Sequence, residues 1–121
     1  MTKTVLVVDD SQSVRQQVGL ALTQGGFEVI EASDGVDGFS QLEAHEVAAV
    51  ISDINMPRMN GLELVEKMHA HPRFARLPVV MLTSEAKPQL IARAKLAGAK
   101  GWIIKPFKAD LLVAALTKLL G

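Results

Sequence analysis

The chain has 121 residues, 49% of them hydrophobic, with no cysteine and a formal net charge of zero. That is one domain's worth of sequence, able to bury roughly two-thirds of its unfolded surface, and it excludes a disulfide framework or a thiolate metal site. The apolar run Val5 to Val8 meets Asp9-Asp10 too soon for a signal peptide, and nothing approaches the ~18 apolar residues of a membrane span, so a cytoplasmic protein is expected.

The charge is unevenly spread. Residues 1–66 carry a net −8 and residues 67–121 a net +8. The bases form no run, so the basic half reads as a face for an acidic protein partner, with neither nucleic acid nor membrane expected. In chain order, Thr4 to Val8 is a short apolar run and hence a buried strand. Ser11 is placed to cap a helix from Gln12 to Gln24, with Val14, Val18, Ala21 and Leu22 inward and Gly25-Gly26 as the stop. Phe27 to Ala32 mixes apolar and acidic residues as an edge strand does. Asp34 caps the next helix, whose Val36, Phe39 and Leu42 share one side.

Ala48 to Ile51 reads as a strand buried on both faces, ending at Asp53. Pro57 restrains Met56 to an extended conformation, Asn60-Gly61 signals a turn, and a helix from Leu62 to His71 closes at Pro72. Pro78 to Leu82 is the fourth strand, ending at Thr83. Pro88 opens a helix that buries Leu90, Ile91 and Ala94 and ends at Gly98. Gly101 to Ile104 is the fifth strand, ending at Lys105. The last helix, Lys108 to Leu120, is expected to bury Leu111, Leu112, Ala115, Leu116 and Leu119. Strict strand–helix alternation predicts a parallel α/β sheet with helices on both faces, in one domain.

In such a sheet the strand ends share one edge. Asp9 and Asp10, Asp53, Thr83 and Lys105 therefore converge from distant positions. Three adjacent carboxylates repel unless neutralised, and Mg²⁺ is a natural partner because it needs only one or two carboxylates plus other oxygens. Lys105 offers a positive point charge and Thr83 a hydroxyl. Together they make a site for phosphoryl transfer to Asp53.

The paired acids after the first strand, the segment DINMPRMNG (53–61), Thr83 and the Lys105-Pro106-Phe107 corner resemble the receiver domain of bacterial two-component response regulators along the whole chain. The resemblance implies a flavodoxin-like, doubly wound, five-stranded parallel sheet of order 2-1-3-4-5 with five helices, as a stand-alone receiver without an output domain. It implies that Asp53 accepts phosphate from a histidine kinase. Asp10, Asp53 and the backbone carbonyl of Asn55 would hold Mg²⁺, with Asp9 acting through water. Lys105 would contact the phosphoryl group, beside a cis Lys105–Pro106 bond.

Thr83 would be drawn onto a phosphoryl oxygen and Trp102 would turn inward behind it, coupling the site to the surface of helix 4, strand 5 and helix 5. The switch aromatic is usually Tyr or Phe. An indole needs more room and a partner for its N–H. Asn55 and Glu85 resemble the lifetime-tuning pair of chemotaxis regulators. The resemblance as a whole implies a monomeric signalling protein rather than an enzyme, with a CheA-like kinase and the flagellar switch or another motility protein as partners. A phosphorelay shuttle or another regulatory single-domain receiver outside chemotaxis is the alternative.

Three rivals share the architecture. A phosphatase using an aspartyl phosphate wants an acid two residues after the nucleophile, where this chain has Asn55. A receiver-shaped module that is never phosphorylated usually lacks an acid or the lysine, and both are present here. Flavin binding lacks a phosphate-cradling loop after the first strand. His45, His69 and His71 read as surface histidines, and Met56, Met59, Met68 and Met81 as gap-fillers. Lys87, Arg93, Lys95 and Lys100 read as a solvated face or a partner surface.

Overall fold

A computed structural model describes residues 2–121. Five strands and five helices alternate: β1 (Thr4–Val8), α1 (Gln12–Gln24), β2 (Glu28–Ala32), α2 (Gly35–Ala44), β3 (Ala49–Ser52), α3 (Gly61–Ala70), β4 (Val79–Thr83), α4 (Pro88–Leu96), β5 (Gly101–Ile104) and α5 (Ala109–Leu120). Every strand pairing is parallel. The order is β2-β1-β3-β4-β5, as the resemblance implies. The central strands β1, β3 and β4 are almost wholly buried, which explains why they read as unbroken apolar runs.

Side chains alternate across the sheet and divide the core in two. Leu6, Val8, Val50, Val79 and Met81 face the layer of α2, α3 and α4, where they meet Phe39, Leu42, Leu64, Val65 and Ala94. Val5, Val7, Ala49, Ile51, Val80 and Leu82 face α1 and α5, against Val18, Leu22, Leu112 and Leu116. Local chemistry starts the helices. Ser11 Oγ accepts from the Val14 amide at 3.3 Å, and the Asp34 carboxylate accepts from the Asp37 amide at 2.8 Å. Asn60 and Glu63 form a reciprocal capping box at the head of α3.

Several side chains depart from the expected inner stripes. Val36 is 40% exposed, because α2 turns Gly35, Gly38, Phe39 and Leu42 to the core and Val36 lies about 100° off that line. Leu111 and Leu119 are 60% and 36% exposed. Helix α5 packs through Leu112 and Leu116, one turn apart, and its surplus leucines face solvent. Helix α4 fully buries only Ala94, with Leu90 and Ile91 half-buried.

Candidate functional site

The strand ends place the polar residues on one edge. Asp9 follows β1 with its side chain buried, and its carboxylate is committed on both oxygens. Oδ1 accepts from the Ser11 amide at 2.9 Å and Oδ2 from the Lys105 ammonium at 2.8 Å. The Asp9 carbonyl accepts from Arg15 Nη1 at 2.6 Å, and Arg15 Nε also donates to Glu31, so α1 and β2 together hold this corner. Asp53 lies at the end of β3, 7% exposed. Its Oδ1 accepts from the Ile54 amide at 2.6 Å and its Oδ2 from Lys105 at 2.9 Å. Asp10 is exposed, and among the described residues nothing donates to its carboxylate.

Lys105 therefore bridges two carboxylates 44 positions apart in sequence. Burial is the largest single influence on it and favours the neutral amine, yet the hydrogen bonds to Asp9 and Asp53, with their charges, outweigh it and hold the ammonium above its ordinary value. The Lys105–Pro106 bond is cis. One ammonium does not balance the site. Oxygens of Asp9, Asp10 and Asp53 lie within 4.8 Å of one another, and the excess negative charge with an all-oxygen donor set fits a small hard cation. Thr83, at the end of β4, is fully buried, and its Oγ1 accepts from the Glu85 amide at 3.3 Å.

The family model of the response regulator receiver domain matches residues 5–117. The chain belongs to the response regulator receiver family. Chemotaxis protein CheY1 of Helicobacter pylori is 40% identical over 119 residues, covering 97% of this chain and 96% of that protein. The structure of Vibrio cholerae CheY4 superposes with a TM-score of 0.93 at 37% identity, covering 99% of this chain and all of that one. A CheX–CheY–BeF3–Mg²⁺ complex from Borrelia burgdorferi contains a chain 27% identical, with a TM-score of 0.91 over 98% of this receiver and 90% of that chain.

Around the acids, the receiver joins two loops and a strand through Glu85. Its carboxylate accepts from Asn55 Nδ2 at 3.2 Å, and its backbone carbonyl accepts from the indole N–H of Trp102 at 2.9 Å. Half-buried on β5, Trp102 thus has the partner that an indole needs, on the loop that follows Thr83. Gly61 closes the loop that follows Asp53. Its amide donates to the Ile54 carbonyl at 2.9 Å, and a Cβ there would stand 1.9 Å from the Asp53 carbonyl oxygen.

Other side chains fall outside the site. His45 and His69 are exposed, whereas His71 is half-buried and stacked on Phe74 at 4.7 Å, inside an aromatic cluster rather than free on the surface. Met68 and Met81 are core residues, and Met56 and Met59 pack against the core. Lys87, Arg93, Lys95 and Lys100 are exposed, and Arg93 forms a two-point ion pair with Glu66 at 2.8 and 2.9 Å. A concavity of about 520 Å³, lined by Val14, Leu20, Ala21, Pro106 and Phe107, opens beside Lys105. Two contributors escape a reading of the sequence. Arg15 gives no local signal, and Arg58 sits inside the segment 53–61 as an ordinary loop residue.

Proposed function

We propose that this receiver is a stand-alone phosphorylation switch, most at home in chemotaxis or motility signalling, with Asp53 as the phosphoacceptor. The observation that carries the reading is the ammonium of Lys105 held 2.9 Å from Asp53 and 2.8 Å from Asp9, beside the third carboxylate of Asp10. An Asp53 oxygen attacks the phosphorus of a phosphohistidine, the N–P bond breaks, and the released imidazole takes up a proton. Lys105 would leave its carboxylate contacts for a phosphoryl oxygen, and Thr83 would turn its hydroxyl to another.

Asp10, Asp53 and the Asn55 carbonyl would hold Mg²⁺, with Asp9 acting through water. When bound, the cation supplies charge neutralisation at the phosphoryl oxygens. Asn55 and Glu85, bonded to each other across the site, are the candidates for setting how fast water removes the phosphoryl group. The route outward runs from Thr83 through the Glu85 loop to Trp102, and so to the face of α4, β5 and α5, whose exposed Ile104 and Leu111 suit a protein target. The apolar concavity beside Lys105 gives a kinase domain a surface to rest on while its histidine reaches Asp53. The chemotaxis name of the curated relative suits the CheA-like donor and flagellar-switch target that the resemblance implies, and the CheX–CheY complex adds a CheX-like protein as a further kind of partner.

The test is intact mass after incubation with acetyl phosphate and Mg²⁺, beside EDTA and Asp53→Asn controls. A Mg²⁺-dependent phosphoryl adduct absent from the variant is expected. No adduct in a rapidly quenched reaction, even with a cognate kinase, would leave a receiver-shaped binding module as the better reading.

A further inference from the structure

Within the loop from Asp53 to Gly61, the Gly61 amide bonds the Ile54 carbonyl, the Met59 amide bonds the Pro57 carbonyl, and the Ile54 amide bonds the Asp53 carboxylate. The loop's middle is held from outside, by the corner between β2 and α2. Asp34, 4% exposed, accepts from Arg58 Nε at 2.7 Å while capping α2 through Asp37. One residue on, the Gly35 amide donates to the Met59 carbonyl at 2.9 Å, and a Cβ at Gly35 would stand 2.6 Å from that same oxygen. Arg58 has φ 65°, a left-handed backbone that costs a residue with a side chain energy unless its surroundings impose it. A glycine would adopt that backbone freely. The arginine in its place carries the group that reaches the buried carboxylate.

We infer that Asp34 and Arg58 are positioning residues for the Asp53 site: a brace that fixes the acceptor loop, and with it the offset of Asn55 from Asp53. The inference rests on the proposed function, because the loop matters through the carbonyl of Asn55 as a cation ligand. Neither residue touches the reacting atoms. Their effect is on how well the oxygen donors are preorganised, and outer partners of a metal site typically change its affinity by about tenfold or more.

The test is Mg²⁺ titration by calorimetry on the full chain, with Asp34→Asn, Arg58→Gly, Arg58→Lys and the double variant Asp34→Asn/Arg58→Gly. Asparagine keeps the helix cap and glycine keeps the left-handed turn, so each single variant removes the pair while sparing the local fold. Urea unfolding without Mg²⁺ checks that each is folded. The expected result is Mg²⁺ binding about tenfold weaker in Asp34→Asn and Arg58→Gly, no further loss in the double variant, and recovery to within about threefold in Arg58→Lys, which keeps a cation. Half-saturating Mg²⁺ for acetyl phosphate labelling should rise in step, while the rate at saturating Mg²⁺ moves far less. Parent-like affinity in both single variants, or additive losses in the double, would overturn the brace and leave the phosphoacceptor reading standing. Failure of the parent chain to bind Mg²⁺ would overturn both.

Discussion

Asp10→Asn should make the protein more stable and less capable. Asp10 is exposed, and its carboxylate lies within 4.8 Å of carboxylate oxygens of Asp9 and Asp53. Lys105 is engaged with those other two. At that separation a like-charge pair repels by about 0.9 kcal/mol in a water-like medium and about 3.5 kcal/mol at an effective dielectric of 20. Exposure favours the lower figure, and Lys105 offsets part of the field of its two partners. Removing the Asp10 charge should therefore stabilise the metal-free protein by about 1 kcal/mol, or about 4 °C in Tm for a domain of this size. The gain should shrink with salt, which screens exposed charges.

Mg²⁺ reverses the comparison. Saturating the parent at 100 times its Kd should add about 2.7 kcal/mol, and the variant should gain little. Urea or thermal unfolding of both proteins, at low ionic strength, with and without Mg²⁺, reads all four stabilities. A destabilised variant in EDTA would refute the electrostatic argument. Equal stabilisation of both proteins by Mg²⁺ would remove Asp10 from the ligand set.

Two further outcomes follow from the same geometry. Lys105 has a raised ammonium value when folded, since its two carboxylate bonds and their charges outweigh burial. Its contribution to stability should be fully present below its ordinary value of 10.5 and lost as pH rises through the folded value. Lys105→Met should flatten that alkaline loss in unfolding measured from neutral pH upward, and an unchanged alkaline limb would count against it. Gly61→Ala places a Cβ 1.9 Å from the Asp53 carbonyl oxygen, against backbone that cannot swing aside. A loss of at least about 3 kcal/mol is expected in urea unfolding, with reduced labelling of Asp53; a near-neutral result would mean that the loop yields more easily than its packing implies.

The fold was largely legible because each buried strand is an unbroken apolar run that stops at a polar residue. The run stops where the strand leaves the core, so Asp9, Asp53, Thr83 and Lys105 announce both the strand ends and the shared edge. Two caps were legible too, since Ser11 and Asp34 are short polar side chains just ahead of helical patterns, whereas Asn60 read only as part of a turn and proves to cap α3. Leu111 and Leu119 were not. Helix α5 holds more leucines than one packing face can use, and hydropathy cannot say which of two adjacent leucines faces the sheet.

The ties that cross the sheet edge were equally hidden. Lys105 to Asp9, Arg58 to Asp34, and Glu85 to Asn55 and Trp102 join residues that only the tertiary fold brings together. Arg58 was further masked by its place among loop residues whose neighbours carry the recognisable pattern.

The bond from Lys105 to Asp9 spans 96 positions, which has a consequence for how the molecule comes into being. β1, β3, β4 and β5 each deliver one part of the site, and the part from β5 arrives last from the ribosome. A nascent chain that has formed β1, β2 and β3 holds three crowded acids with no ammonium among them. Lys105 therefore joins opposite ends of the protein's history, and its arrival relieves a repulsion that every shorter intermediate must carry. Closure of the Lys105 ammonium onto Asp9 and Asp53 then reports that the sheet has assembled as far as β5, since the strands made before it bring the acids together without their counter-charge.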